Sequence, residues 1–143
     1  MSPRRSSTKG ARGHRGQQSA LPGNGGLARI GRAFWNTVGG LREGLSTEAA
    51  IKQEAAIALI AFPVSFFVAT DLWVWVALIG SLLLLLSIEF LNTAIERLCN
   101  HLHPGRHEAI RVTKDLASAG VFFAIALTGL IWGAALLARF GIF

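Results

Sequence analysis

Three long apolar stretches of this chain carry no charged residue: Ala55 to Thr70, Leu72 to Ile88, and Leu116 to Ala138. A helix of about 20 mostly apolar residues crosses the hydrocarbon layer of a bilayer. The third stretch reaches that length alone. The first reaches it when extended back through Glu48-Ala49-Ala50-Ile51-Lys52-Gln53-Glu54, with Ser46 or Thr47 as the expected N-cap. The second does so when it runs on through Glu89 to Cys99. Composition agrees with a membrane protein: 52% of the 143 residues are hydrophobic and 15% charged, against about 25% charged in soluble domains. The lone Cys99 leaves no internal disulfide framework.

The charge is unevenly placed. Met1 to Arg42 holds eight Lys/Arg and no acid, whereas Glu43 to Phe143 holds six Lys/Arg and all eight acids. Residues 1–26, rich in Ser, Gly, Arg and Gln, lack an apolar run and are expected to form a disordered basic tail. The tail has no apolar core of a signal peptide. Basic residues beside membrane spans act as topology signals and anionic-lipid contacts, so no nucleic-acid partner is expected. From Leu27 the pattern changes: Leu27, Ile30, Phe34, Val38, Leu41 and Leu45 recur at steps of three and four. That stripe predicts an amphipathic helix over about 27–45, lying in the membrane interface, with Gly39-Gly40 expected to kink or break it. The fold class is therefore all-α: a polytopic membrane protein with an N-terminal interfacial amphipathic helix and three transmembrane helices, spanning about 48–70, 72–99 and 108–138.

The apolar segments contain a few polar residues in a pattern. Glu89, Asn92 and Glu96 follow at i, i+3 and i+7 and so share one helix face. A carboxylate near a bilayer centre costs about 2.5–3.5 kcal/mol and usually faces a cavity or a partner. The alternative is interhelical glue, with Asn92 and a protonated glutamate bonding between helices. A second cluster, Glu48, Lys52 and Glu54, lies at the start of the first span, where Glu48 and Lys52 are spaced to pair at i, i+4. A third opens the last span: His107, Arg111 and Lys114 align, Arg111 is spaced to pair with Asp115, and Pro104-Gly105 marks a turn before them. Carboxylates suited to Mg²⁺ would thus meet cations suited to phosphates, a combination that resembles phosphoryl transfer. No Walker A or protein-kinase motif occurs, and the spacing of Cys99, His101, His103 and His107 matches no closed zinc site. Trp73, Trp75 and Trp132 fall near the other membrane face, where indoles are expected to anchor.

These residues carry a resemblance. Glu89-Phe90-Leu91-Asn92-Thr93-Ala94-Ile95-Glu96, followed by His107-Glu108 and Lys114-Asp115, resembles the signature of the prokaryotic diacylglycerol kinase family. Glu48 to Glu54 resembles the family's E-A-A-x-x-Q-E segment, and the similarity runs from about Leu27 to Phe143 without an obvious gap. The resemblance implies a membrane kinase domain over 27–143, using MgATP, in a homotrimer of the bacterial inner membrane. By position it implies Glu89 as general base with Asn92 beside it, and Glu48 and Glu96 as Mg²⁺ ligands. Arg29, Asn36, Gly105, Arg106, His107, Lys114 and Asp115 match nucleotide positions, and Glu54 and Ser118 match positions near the lipid. Asn100 stands where many members have aspartate, and Asn36 where some have an aromatic residue.

The implied reaction moves the γ-phosphoryl of MgATP to the hydroxyl of diacylglycerol, giving phosphatidic acid. Undecaprenol is the alternative acceptor, and an ion- or proton-coupled transporter or a structural adaptor the alternatives of another class. Three thin helices cannot enclose a nucleotide and a lipid headgroup alone, which independently favours an oligomer with shared sites. The basic tail and the Arg97–Lys114 link place the N-terminus in the cytoplasm and the C-terminus in the periplasm. Cysteine-accessibility mapping is expected to find Asp71 and Phe143 outside and the 97–114 link inside. A C-terminus on the cytoplasmic side contradicts this topology.

Overall fold

A computed structural model of the protein describes residues 26–102, 105 and 107–142, the side chain of Leu27 apart. The tail assigned to residues 1–26 lies outside these except for Gly26, as do His103, Pro104, Arg106 and Phe143. Four helices account for the described chain: α1 (Gly26–Thr47), α2 (Ala49–Val68), α3 (Leu72–Leu102) and α4 (Glu108–Arg139). No strand occurs among the described residues. The last three helices are each long and apolar enough to cross a membrane, so the chain is an all-helical, multi-pass membrane protein. At 1.5 Å rise per residue, the 31 residues of α3 run about 46 Å, well beyond the ~30 Å hydrocarbon layer. That excess length explains how its final turns carry Glu96, Arg97 and Asn100.

The chain divides into two compact units, residues 1–35 and 36–143. In the described part of the first, Ile30, Phe34 and Trp35 are exposed, and the Phe34 and Trp35 rings meet edge to face at 5.8 Å. The packing of helix on helix belongs to the second unit.

Two sequence expectations fail around α1. The helix continues through Gly39-Gly40, because each glycine costs only about 1 kcal/mol relative to alanine. Neither Ser46 nor Thr47 caps α2. Both hydroxyls instead donate to the Glu43 carbonyl at 2.9 Å, which keeps them inside α1. Glu48 is the N-cap residue, extended at φ −100° and without a side-chain capping bond. The α1–α2 junction is thus one residue long.

Asp71 caps α3, its Oδ1 accepting from the amides of Trp73 at 2.8 Å and Val74 at 3.1 Å. The Val74 amide foremost, with those of Trp73 and the Thr70 hydroxyl, holds this carboxyl below its usual range. The cap is therefore fully present at neutral pH and weakens as pH falls through that lowered value.

The packed core lies at this end of the bundle, where Val68, Leu78 and Ala135 are buried beneath Val74, Ile131 and Trp132. Two donors on α4 bond to carbonyls of α3: Trp132 Nε1 to Leu78 at 3.3 Å and Thr128 Oγ1 to Ser81 at 3.2 Å. Small polar links of this kind join helices where water is absent. The three tryptophans near this end differ in setting. Trp73 projects outward at 79% exposure, whereas Trp132 is held in the core. Trp75 packs on Phe62 and Phe66 of α2 at 6.4 and 5.5 Å. Elsewhere apolar side chains such as Leu59, Phe67, Phe123 and Leu130 stand exposed, as surfaces covered by lipid or protein do.

At the opposite end, Gly44 is buried against α3 and α2. A Cβ there would sit 2.5 Å from Phe90 Cε1 and 3.0 Å from Ile51 Cδ1, whereas one on Gly40 would meet nothing within 4 Å. Both Gly→Ala changes gain the same helix propensity, so their difference isolates overpacking. Gly44→Ala is expected to be less stable than Gly40→Ala by about 1–3 kcal/mol, measured by denaturant unfolding in detergent micelles.

Candidate functional site

The polar residues of the bundle gather where α2 begins, α3 ends and α4 begins. Glu89 is the deepest of them along α3 and is 6% exposed. Burying a carboxylate on an otherwise apolar helix requires a polar setting, and its neighbours are polar but acidic. Glu48 and Glu96 act on it electrostatically, and so does it on Glu54. Four carboxylates from α2, its N-cap and α3 therefore share one region. Two atoms here are buried without a hydrogen-bond partner, Glu54 Oε2 and Asn92 Oδ1. Each keeps an unmet capacity to accept a hydrogen bond.

The expected Glu48–Lys52 pair is not formed. Glu48 Oε1 instead accepts from Arg97 of α3, at 2.6 Å from Nη2 and 3.0 Å from Nε. The interhelical partner wins because a guanidinium offers two donors to one oxygen, while an i, i+4 lysine offers a flexible point charge. Arg97 Nη1 also reaches Glu43 Oε1 at 3.2 Å, and Nη2 donates to Thr47 Oγ1.

One turn of α3 further on, Asn100 Oδ1 accepts from Lys114 Nζ of α4 at 2.6 Å. Lys114 lines a cavity of about 590 Å³ with Gly105, His107, Glu108, Ile110 and Arg111. The cations of that wall are not equivalent. Arg111 makes a fork with Glu108, at 2.6 and 3.0 Å, and the expected i, i+4 bond to Asp115 at 2.5 Å. Its charge is matched twice over. Lys114 has a neutral amide as partner and keeps its full charge for an anion.

Other sequence-assigned residues make none of these contacts. Arg29 belongs to the first unit and Asn36 is exposed at the start of the second. Ser118 is exposed on α4, one turn beyond Lys114, and Arg106 lies outside the described residues. Sequence reasoning missed Arg97 and Glu43 as the residues that flank Glu48 beside the site. Arg97 directly follows Glu96, and along the sequence it counts only as a topology charge. A cation in the same turn as buried acids is nonetheless a natural partner for one of them.

Among the described residues, no three His, Cys, Asp or Glu side chains gather tightly enough to enclose a metal ion. Mg²⁺ takes one or two carboxylates and completes its shell with water and phosphate oxygens. Glu96 is exposed and in no ion pair among the described residues, and Glu48 keeps 34% side-chain exposure. The donor set therefore fits a shared Mg²⁺ and not a closed protein cage.

Comparison with known proteins identifies the fold that carries this cluster. The family profile for prokaryotic diacylglycerol kinase matches residues 36–136. The chain belongs to that family. A diacylglycerol kinase of Haemophilus influenzae is 32% identical over 108 residues, covering 76% of this chain and 92% of that protein. One from Escherichia coli K12 is 34% identical over 116 residues, covering 81% and 95%. One from Pseudomonas aeruginosa is 30% identical over 119 residues, covering 83% and 97%. The matched span contains α2, α3 and all of α4 but its last three residues.

The inequality of the two cations is measurable. Lys114→Ala is expected to weaken binding of a non-hydrolysable ATP analogue about tenfold, because it removes a charge-assisted hydrogen bond to phosphate. Arg111→Ala is expected to change it less than twofold, about the scale of a surface pair. Calorimetric titration of the two variants checks the order.

Proposed function

We propose that this chain is a lipid kinase that transfers the γ-phosphoryl group of MgATP to the hydroxyl of diacylglycerol, giving phosphatidic acid and ADP. The observation that best supports the reading is the gathering of the buried Glu89, the unpartnered Asn92 Oδ1, two outer carboxylates and the uncompensated Lys114 at one end of the bundle, in a chain of this family. Depth orders the roles. Glu89 lies seven residues before Glu96 on α3, about 10 Å deeper along the helix. A lipid hydroxyl is available at that depth, and ATP approaches from the water.

Glu89 takes the hydroxyl proton as the lipid oxygen bonds to the γ-phosphorus. The bond from that phosphorus to the β,γ-bridging oxygen breaks, and ADP leaves with its electron pair. Asn92, one turn away on the same face, orients the acceptor. Glu48 and Glu96 would hold Mg²⁺, whose charge would lower the electrostatic barrier to attack on the phosphoryl group. Lys114 neutralises the charge that develops on its oxygens. Glu54 and Ser118 contact the lipid, and Arg29, Asn36, Gly105, Arg106, His107 and Asp115 the nucleotide. The kinase domain is residues 27–143, working as a homotrimer with shared sites in the bacterial inner membrane. The N-terminus lies in the cytoplasm and the C-terminus in the periplasm.

Single substitutions separate base from metal ligand. Glu89→Gln is expected to lower turnover by about 10²–10⁴-fold with MgATP binding nearly intact. Glu96→Gln and Glu48→Gln are expected to weaken MgATP binding and raise the Mg²⁺ requirement. Loss of nucleotide affinity in Glu89→Gln, with affinity kept in Glu96→Gln, would exchange the roles. Normal turnover in both would make this face structural.

A further inference from the structure

Arg97 takes no part in the proposed phosphoryl transfer, yet it makes more polar contacts between separate segments than any other described side chain. All its acceptors lie in residues 43–48, at the end of α1 and the α1–α2 junction. That junction is a single residue, Glu48, which makes no capping bond of its own. Apart from Arg97, the hydrogen bond on its carboxylate comes from the Thr47 hydroxyl at 3.4 Å. Without the guanidinium, the Glu48 carboxylate would keep only that weak contact with Thr47.

The contact has an unusual form. A fork-to-fork pair occupies both carboxylate oxygens. Here both arginine donors, and the Thr47 hydroxyl, fall on Oε1 alone. The carboxylate is gripped from one side, and Oε2 is left for another partner. Glu43 meanwhile holds the opposite nitrogen, Nη1, at 3.2 Å. That second anchor keeps the guanidinium from swinging towards an incoming polyphosphate.

We infer that Arg97 is a positioning residue, which fixes Glu48 by Oε1 so that Oε2 is presented to the Mg²⁺–phosphate group, with Glu43 as its anchor. The inference rests on Glu48 being a Mg²⁺ ligand. It predicts that the arginine assists metal binding, although like charge alone would make it a competitor.

The test uses full-length protein in detergent micelles. Mn²⁺ binding is followed by loss of the free-ion electron paramagnetic resonance signal in the presence of a non-hydrolysable ATP analogue, alongside the Mg²⁺ dependence of lipid phosphorylation. Arg97→Ala is expected to raise the Mn²⁺ dissociation constant and the half-saturating Mg²⁺ about fivefold. Turnover at saturating Mg²⁺ should stay within about twofold of wild type. Arg97→Lys, which cannot grip one oxygen twice, should recover only part of the loss. Glu43→Gln should shift both values in the same direction by less. In a Glu48→Gln background, Arg97→Ala should have no further effect. Unchanged or tighter Mn²⁺ binding in Arg97→Ala, or full additivity with Glu48→Gln, overturns the inference. If Arg97→Ala does not fold, Glu43→Gln decides it, and an unchanged affinity there is equally fatal. Wild-type protein that bound no Mn²⁺ with the analogue would overturn the kinase reading and this inference with it. Normal wild-type binding with indifferent variants would remove the inference alone.

Discussion

A carboxylate buried within an apolar helix is the constraint around which this protein is arranged. Glu89 is buried, and the carboxylates that interact with it electrostatically, Glu48, Glu54 and Glu96, share its charge. Such a group on a membrane helix costs several kcal/mol without compensation. The cations close by do not cancel it. Arg97 is held at the rim by Glu48 and Glu43, and Lys114 by a neutral amide. Negative charge inside and positive charge at the mouth are what the proposed site would offer to a cation and a polyphosphate together. Neither would complete it alone.

The rest of the fold keeps that arrangement in register. Gly44 lets the end of α1 lie against Phe90, the residue after Glu89. The one-residue junction then sets Glu48 beside the last turns of α3. At the far end, the Trp132 and Thr128 bonds to α3 carbonyls fix α4 along its length. Lys114 consequently meets Asn100 one turn from Arg97. Packing at one membrane face thus positions charges at the other.

Most of the fold can be read in the sequence because the bilayer simplifies the problem. Uncharged runs of the right length leave few alternatives to spanning helices, and α2, α3 and α4 end within about three residues of the expected limits. The failures are local. The Gly39-Gly40 expectation gives too much weight to a cost of about 1 kcal/mol per residue, and Ser46 and Thr47 bond back to the Glu43 carbonyl and do not cap α2. The Glu48–Lys52 pair rests on spacing along one helix, which cannot foresee a better donor on another. Trp132 looks like an interfacial anchor because periodicity does not say which carbonyl an indole will find. In the site, the i, i+3, i+7 pattern picks out Glu89, Asn92 and Glu96, since their polarity stands out against leucine. Arg97 and Glu43 stay hidden because charges near a membrane boundary are unremarkable until their partners are known.

The central claim is that this acidic cluster and its cationic mouth serve phosphoryl transfer to a lipid. Purified protein supplied with γ-³²P-labelled ATP and Mg²⁺, in parallel reactions with diacylglycerol and undecaprenol micelles, tests it most directly. Labelled phosphatidic acid is expected to form in step with ADP, with little labelled undecaprenyl phosphate. Label passing chiefly to undecaprenol would change the acceptor and keep the chemistry. Failure to label either lipid, in protein that is folded and binds the nucleotide, would contradict the account.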